Sequence, residues 1–104
     1  MKFFSIHDNR NLCGIVIRQE RIKRDMSQQE LASSMNFYGL DISHKMISRI
    51  ELGKRIITDY ELYIISRVFE ISINHFFSEV DKLSKEELSV FKFVPWENNK
   101  NDDM

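Results

Sequence analysis

The sequence predicts an all-α protein built from several short helices. A single proline and three glycines leave few interruptions to helical structure in the 104-residue chain. A serine or threonine followed three residues later by glutamate forms a capping box, which begins many helices. This pattern occurs at Ser27, Thr58 and Ser84. Apolar residues then recur at the three- and four-residue spacing of an amphipathic helix.

The length of the chain suits one domain with short flanking segments. A chain of this size buries about 65% of its unfolded surface, which is enough for one hydrophobic core. We expect an N-terminal arm at 1–9, a helical domain at 10–78, a C-terminal helix at 79–94 that is a candidate for dimerisation, and a polar, disordered tail at 95–104.

Cysteine content and hydropathy bear on where the protein works. Cys13 is the single cysteine, so the chain has no internal disulfide and no thiolate cage for a metal. Apart from Ile6, the residues that follow Phe3 and Phe4 are polar, unlike the apolar core of a signal peptide. No segment approaches the ~20 apolar residues of a membrane span. We therefore expect a cytoplasmic protein with no membrane partner.

The formal net charge is −1, but the charges are unevenly distributed. Residues 10–55 contain nine Lys or Arg and five Asp or Glu, a net charge of +4. Residues 56–104 contain five Lys or Arg and ten Asp or Glu, a net charge of −5. A basic half joined to an acidic half is compatible with one face that binds nucleic acid.

Caps and apolar spacing predict where the helices lie. The predicted elements are helix 1 at about 11–24, helix 2 at about 28–35, a connector at 36–42 with its turn at Gly39, helix 4 at about 59–69, helix 5 after Ser72, and helix 6 from Ser84 to Pro95. The side chains predicted to face inward are Cys13, Ile17, Arg21, Leu31, Ala32, Met35, Leu62, Ile65, Ser66, Phe69, Ile73 and Phe76. We expect Arg18, Lys23 and Arg24 at the surface.

The segment 43–55, SHKMISRIELGKR, predicts a third helix with two unlike faces. Ser43 is a suitable N-cap and Gly53 a suitable stop. The inward residues are Met46, Ile47 and Ile50, whereas His44, Lys45, Ser48 and Arg49 face outward. Donors of this kind can bind base edges in the major groove, and Lys54 and Arg55 can bind phosphates. An ordinary surface helix with solvated charges is the alternative.

Together these segments resemble the phage Cro/repressor-like, or Xre, helix-turn-helix family. The resemblance extends over about residues 12–78. The residues that carry it are Gly14, Ile17, Arg21, SQQELA at 27–32, ISRIELGKR at 47–55, TDYEL at 58–62 and ISINHFF at 71–77. The family implies a compact, lambda-repressor-like bundle of five helices, in which the second and third form the DNA-binding unit.

The resemblance also implies individual roles. The expected base contacts are Ser43, His44, Lys45, Ser48 and Arg49, and the expected phosphate contacts are Gln28, Lys54 and Arg55. Arg21 and Glu51 match a pair that forms a buried ion pair in relatives. The link between helices 2 and 3 is longer than usual by about five residues. Glu20 stands where an apolar residue is common, which suggests a different edge to the core.

These observations predict a sequence-specific transcription regulator that binds double-stranded DNA, most simply a repressor acting as a homodimer on a palindromic operator. The candidate dimer contacts are Phe91, Phe93 and Trp96, although these side chains could instead close the bundle's own core. The alternative function is a protein-interaction module, such as an antitoxin that binds its partner through the C-terminal segment. A protein antagonist is compatible with either of these two functions.

Nothing in the sequence predicts catalysis, a metal site or a cofactor. There is no glycine-rich phosphate loop and no HExxH motif. No second histidine or cysteine lies three or four residues after His44, and His7 and His75 are far from it in sequence. We expect His75 simply to cover the end of helix 5.

Overall fold

The computed structural model describes residues 9–83, which form five α-helices. These are α1 (Gly14–Lys23), α2 (Gln28–Phe37), α3 (His44–Glu51), α4 (Asp59–Phe69) and α5 (Ile73–Asp81). The predicted all-α fold and five-helix bundle are confirmed. The capping box at Ser84, the sixth helix, the tail, most of the arm and the candidate dimer residues lie outside the described part.

The helices begin where the sequence predicts caps. The side chains of Ser27, Ser43, Thr58 and Ser72 each accept a hydrogen bond from a backbone N–H in the first helical turn. Complete capping boxes are present at Ser27 with Glu30 and at Thr58 with Glu61. Because each such cap satisfies N–H groups that lack a helical partner, the four helix starts are well defined.

Two helix boundaries differ from the prediction. Helix α1 begins at Gly14, three residues later than expected, because the Asn11 side chain accepts the Gly14 N–H at 2.7 Å. Helix α2 continues to Phe37, two residues beyond its predicted end. It ends in a turn at Gly39, whose φ of +92° suits a residue without a side chain.

The core lies between α1, α2, α3 and α4, and α5 closes it against α1 and α4. Helix α3 packs on both α2 and α1, so its position depends on two neighbours. The predicted inward residues of α2 and α4 are buried. The buried apolar side chains are Cys13, Val16, Ile17, Leu31, Ala32, Met35, Ile42, Ile47, Ile50, Leu62, Ile65, Phe69 and Phe76.

One surface prediction needs correction. Arg24 is not simply exposed, because its guanidinium lies 4.6 Å from the ring centre of Phe69 and pairs with Glu20. Part of the predicted connector, residues 36–42, packs on the core. Ile42 is buried, whereas Phe37 is 89% exposed. Burial raises the pKa of the Cys13 thiol to about 11, so this cysteine is a neutral, buried side chain as predicted.

Candidate nucleic-acid interface

Helix α3 presents one buried face and one polar face. Ile47 and Ile50 are fully buried. The expected base contacts Ser43, His44, Lys45 and Arg49 are exposed, and Ser48 is half-buried. The five side chains that the sequence assigns to base recognition therefore lie on or beside the outward face of a single helix.

The first turn of α3 has an unusual cap. The Ser43 hydroxyl accepts the Met46 N–H at 3.3 Å, and the Met46 sulfur accepts the Ser43 N–H at 3.4 Å. A thioether thus takes the place of the glutamate of an ordinary capping box. The Ser43 hydroxyl retains its own proton, so it can still donate to a DNA acceptor.

The last turn of α3 ends as the sequence predicts. Gly53 has a φ of +75°, and its N–H bonds to the Ile50 carbonyl at 3.0 Å. The Lys54 N–H bonds to the Arg49 carbonyl at 2.8 Å, which completes a Schellman-type stop. The glycine is needed because residues with a side chain avoid this φ region, and an added Cβ would also crowd the Asn9 side chain.

The two predicted phosphate contacts after α3 are placed differently. The Lys54 side chain is exposed. Arg55 is half-buried and pairs with Glu61 at 2.9 and 3.0 Å, across the link between α3 and α4. Arg55 therefore tethers this link to the start of α4. A phosphate bound by Arg55 would have to share the guanidinium with Glu61.

Arg21 and Glu51 form a two-pronged ion pair between α1 and α3. Arg21 Nε donates to Glu51 Oε2 at 2.7 Å, and Arg21 Nη2 donates to Oε1 at 2.9 Å. Only 12% of the Arg21 side chain and 2% of the Glu51 side chain are exposed. The hydrogen bonds to Glu51 raise the pKa of Arg21 against the opposing effect of burial. The structure thus brings together the pair that the resemblance implied.

Gln28 is connected to this ion pair. Its Nε2 donates to Glu51 Oε1 at 3.0 Å, which orients the amide at the first position of α2. Its second amide N–H and its backbone N–H remain suited to a phosphate at the positive end of the helix. The predicted phosphate contact and the ion pair are therefore parts of one hydrogen-bonded network.

A close backbone contact also fixes α3 against α1. An added Cβ at Gly14 would lie 2.2 Å from the Ile50 carbonyl oxygen, so this position accepts only glycine without a backbone shift. Asn11 Nδ2 donates to the carbonyls of Ile50 at 3.0 Å and Arg55 at 2.8 Å. Gly14 is among the residues that carry the family resemblance. The sequence does not reveal Asn11, whose partners lie 39 and 44 residues away.

A second charged cluster surrounds Glu20, which is only 3% exposed. Its carboxylate accepts hydrogen bonds from Arg24 at 2.6 Å, His75 at 2.9 Å and Lys23 at 3.2 Å. Burial alone would raise the pKa of Glu20, but these donors outweigh it and lower the pKa to about 2. His75 thus does more than cover the end of α5, because it ties α5 to α1.

Among residues 9–83, no group of three His, Cys, Asp or Glu side chains is placed to hold a metal ion. No helix within the same range is long and apolar enough to cross a membrane.

The bundle, the capped second helix and the outward polar face of α3 define a helix-turn-helix protein. The family model described as Helix-turn-helix, HTH_3, matches residues 17–76, which is more than half of the chain. The chain belongs to this Xre-like helix-turn-helix family. The family consists of DNA-binding regulator domains that are not typically enzymes, so DNA is the implied partner. Neither the comparison with curated proteins nor the comparison with solved structures gives a match.

Proposed function

We propose that the protein is a sequence-specific transcriptional repressor that binds double-stranded DNA in the cytoplasm. The observation that carries this proposal is the outward face of α3, where Ser43, His44, Lys45 and Arg49 are exposed while the opposite face is locked into the core. A helix held in this way can enter a major groove and bring several donors to base edges at once.

The surroundings of α3 supply the contacts that orient a helix on DNA. Gln28 at the start of α2 and Lys54 after α3 are the proposed phosphate contacts, with Arg55 as a partner shared with Glu61. Phosphate contacts set the register of a protein on the duplex, and base contacts supply the selectivity. Residues 10–55, which include α2 and α3, carry a net charge of +4, and positive charge favours binding to the phosphate backbone.

We further propose that the active form is a homodimer on a palindromic operator. A single helix of this size reads too few base pairs for selectivity in a genome. Two copies would read half-sites about 34 Å apart, one turn of the double helix. Phe91, Phe93 and Trp96 remain the proposed contacts on the basis of the sequence.

Selection of bound duplexes from a random DNA pool, at two salt concentrations, tests this function. A palindromic motif with half-sites one helical turn apart would support the dimeric repressor. Each phosphate neutralised should add about 0.9 to the slope of log affinity against log salt. Failure to bind any duplex at low salt would overturn the proposal and favour the protein-interaction module.

Replacement of Arg49 tests the reading face directly. Arg49→Ala should reduce the preference for the cognate base pair by ~1–3 kcal/mol, because a guanidinium that donates twice to guanine is lost. Arg67→Ala is the matched control, since Arg67 is also exposed but lies in the last turn of α4. Competition binding with single-base operator variants measures the effect. Equal preferences in the Arg49 variant and the control would contradict the assignment.

A further inference from the structure

The long α2–α3 connector, residues 38–42, leads directly to the first turn of α3. Asn36, in the last turn of α2, lies beside it. The Asn36 Nδ2 donates to the carbonyl of Leu40 at 2.7 Å and to the carbonyl of Ile42 at 3.0 Å. Both protons of one amide are thus used to hold the connector in place.

The backbone bonds at the end of α2 show why this amide is needed. The Gly39 N–H bonds to the Asn36 carbonyl at 2.8 Å, and the Leu40 N–H bonds to the Met35 carbonyl at 3.3 Å. These bonds close the turn. Within the connector they satisfy N–H groups but no carbonyl groups. The Asn36 side chain satisfies the carbonyls that follow. The second of them, Ile42, immediately precedes the N-cap Ser43.

The two ends of α3 differ in how they are held. The end of the helix is fixed by Asn11, by the contact at Gly14 and by the ion pair of Glu51. Before the helix, Asn36 supplies both side-chain hydrogen bonds that residues 9–83 make to the connector carbonyls. The buried side chain of Ile42 anchors the connector through apolar contact, which is less directional.

We propose that Asn36 is a positioning residue for DNA recognition, acting through the first turn of α3 without touching DNA. This inference rests on the proposed function of the α3 face. The connector determines where Ser43, His44 and Lys45 stand relative to α2 and its phosphate contact. A site that reads base edges needs its donors within about 0.5 Å of the productive geometry. Without the two Asn36 hydrogen bonds, the connector would therefore misplace these donors before it disturbs the rest of α3.

The surface position of Asn36 makes the inference testable without loss of the fold. Asn36 is exposed, so its truncation opens no cavity in the core. Asn36→Ala removes the amide without a change of charge. Asn74→Ala is the matched control, because Asn74 is an exposed asparagine on α5. Lys45→Ala and Arg49→Ala identify the base pairs that are read by the first and the last turn of α3.

Competition binding on single-base operator variants provides the decisive measurement. In Asn36→Ala, the discrimination between base pairs should fall roughly tenfold at positions read by the first turn of α3. At the base pair read by Arg49 it should stay as in the wild type. The salt slope should match the wild type, since no phosphate contact is removed. A uniform loss of affinity, or unchanged discrimination, would overturn the inference and leave Asn36 as an ordinary stabilising residue.

Amide hydrogen exchange supplies a second readout that needs no DNA. In Asn36→Ala, the Met46 N–H, which bonds to Ser43, should exchange faster, while the Ile17 N–H in α1 should keep its protection. Equal protection of Met46 in the variant and the wild type would also overturn the inference. Wild-type protein that shows no base preference would overturn the proposed function and this inference together, whereas selective wild-type binding with an unaffected variant would overturn the inference alone.

Discussion

The contact of α1 with α3 and the contact of α1 with α5 each contain a buried carboxylate, but they hold it in different ways. Glu51 is gripped by the two-pronged guanidinium of Arg21. Glu20 is surrounded by three separate donors, Lys23 at 3.2 Å, Arg24 at 2.6 Å and His75 at 2.9 Å. A two-pronged pair fixes orientation, whereas a distributed cluster lowers the cost of losing any one partner.

This difference corresponds to what each contact has to do. Helix α3 carries the proposed reading face, and its rotation about its own axis would move every donor at once. The Arg21–Glu51 pair, the Gly14 contact and the Asn11 bonds restrict that rotation. Helix α5 carries none of the proposed base contacts. Its polar attachment to α1 is the His75–Glu20 bond, because the other two donors, Lys23 and Arg24, lie in α1 and at its C-cap.

The largest effect should come from breaking the α1–α3 pair on one side. Glu51→Ala should lower the free energy of unfolding by ~3–5 kcal/mol, because the largely buried Arg21 is left without its partner. Gln28 loses its acceptor in the same variant. Denaturant unfolding followed by circular dichroism measures the loss. The double variant Arg21→Met, Glu51→Leu is the control, and it should recover most of the stability. A loss below about 1 kcal/mol in Glu51→Ala would show that the pair does not hold the two helices.

The next effect concerns acid and the Glu20 cluster. The pKa of Glu20 falls from an ordinary value of 4.5 to about 2 in the folded protein. Because the folded pKa is depressed, the unfolded chain binds the proton first. The stabilisation is therefore complete above pH 4.5 and is lost as the pH falls towards 2. It amounts to up to about 3 kcal/mol.

Unfolding curves of the wild type and Glu20→Gln, measured between pH 2 and 6, isolate this contribution. The wild type should lose stability more steeply than the variant within the window, since glutamine does not titrate. Parallel curves for the two proteins would show that Glu20 has no depressed pKa.

The sequence predicts most of the fold because its helix starts and stops depend on local chemistry. The boxes at Ser27 and Thr58 and the glycine at 53 act within a few residues of themselves, so their signals are readable without a structure. The outward face of α3 is also predictable, since helical spacing alone separates Ile47 and Ile50 from Lys45 and Arg49.

The interactions that position α3 are harder to predict because they join distant segments. Arg21 and Glu51 could be paired only through resemblance to a known family, not from their spacing. Asn11 and Asn36 look like ordinary polar residues near helix ends. Their carbonyl partners depend on how the chain folds back. The Glu20–His75 bond spans 55 residues, and no pattern in either helix indicates it.

The smallest effect should come from His75, and it separates the two contacts most clearly. His75→Ala removes one of the three donors to Glu20 and leaves Arg24 and Lys23 in place. Stability should therefore fall by only ~0.5–1.5 kcal/mol, the typical value of one hydrogen bond. Base discrimination should not change, because α3 is held by α1 and α2 and not by α5. Thermal unfolding and competition binding on the same preparations measure both quantities. A change in base preference without a larger loss of stability would mean that the α1–α5 contact also orients the reading helix, and the division of roles between the two contacts would be wrong.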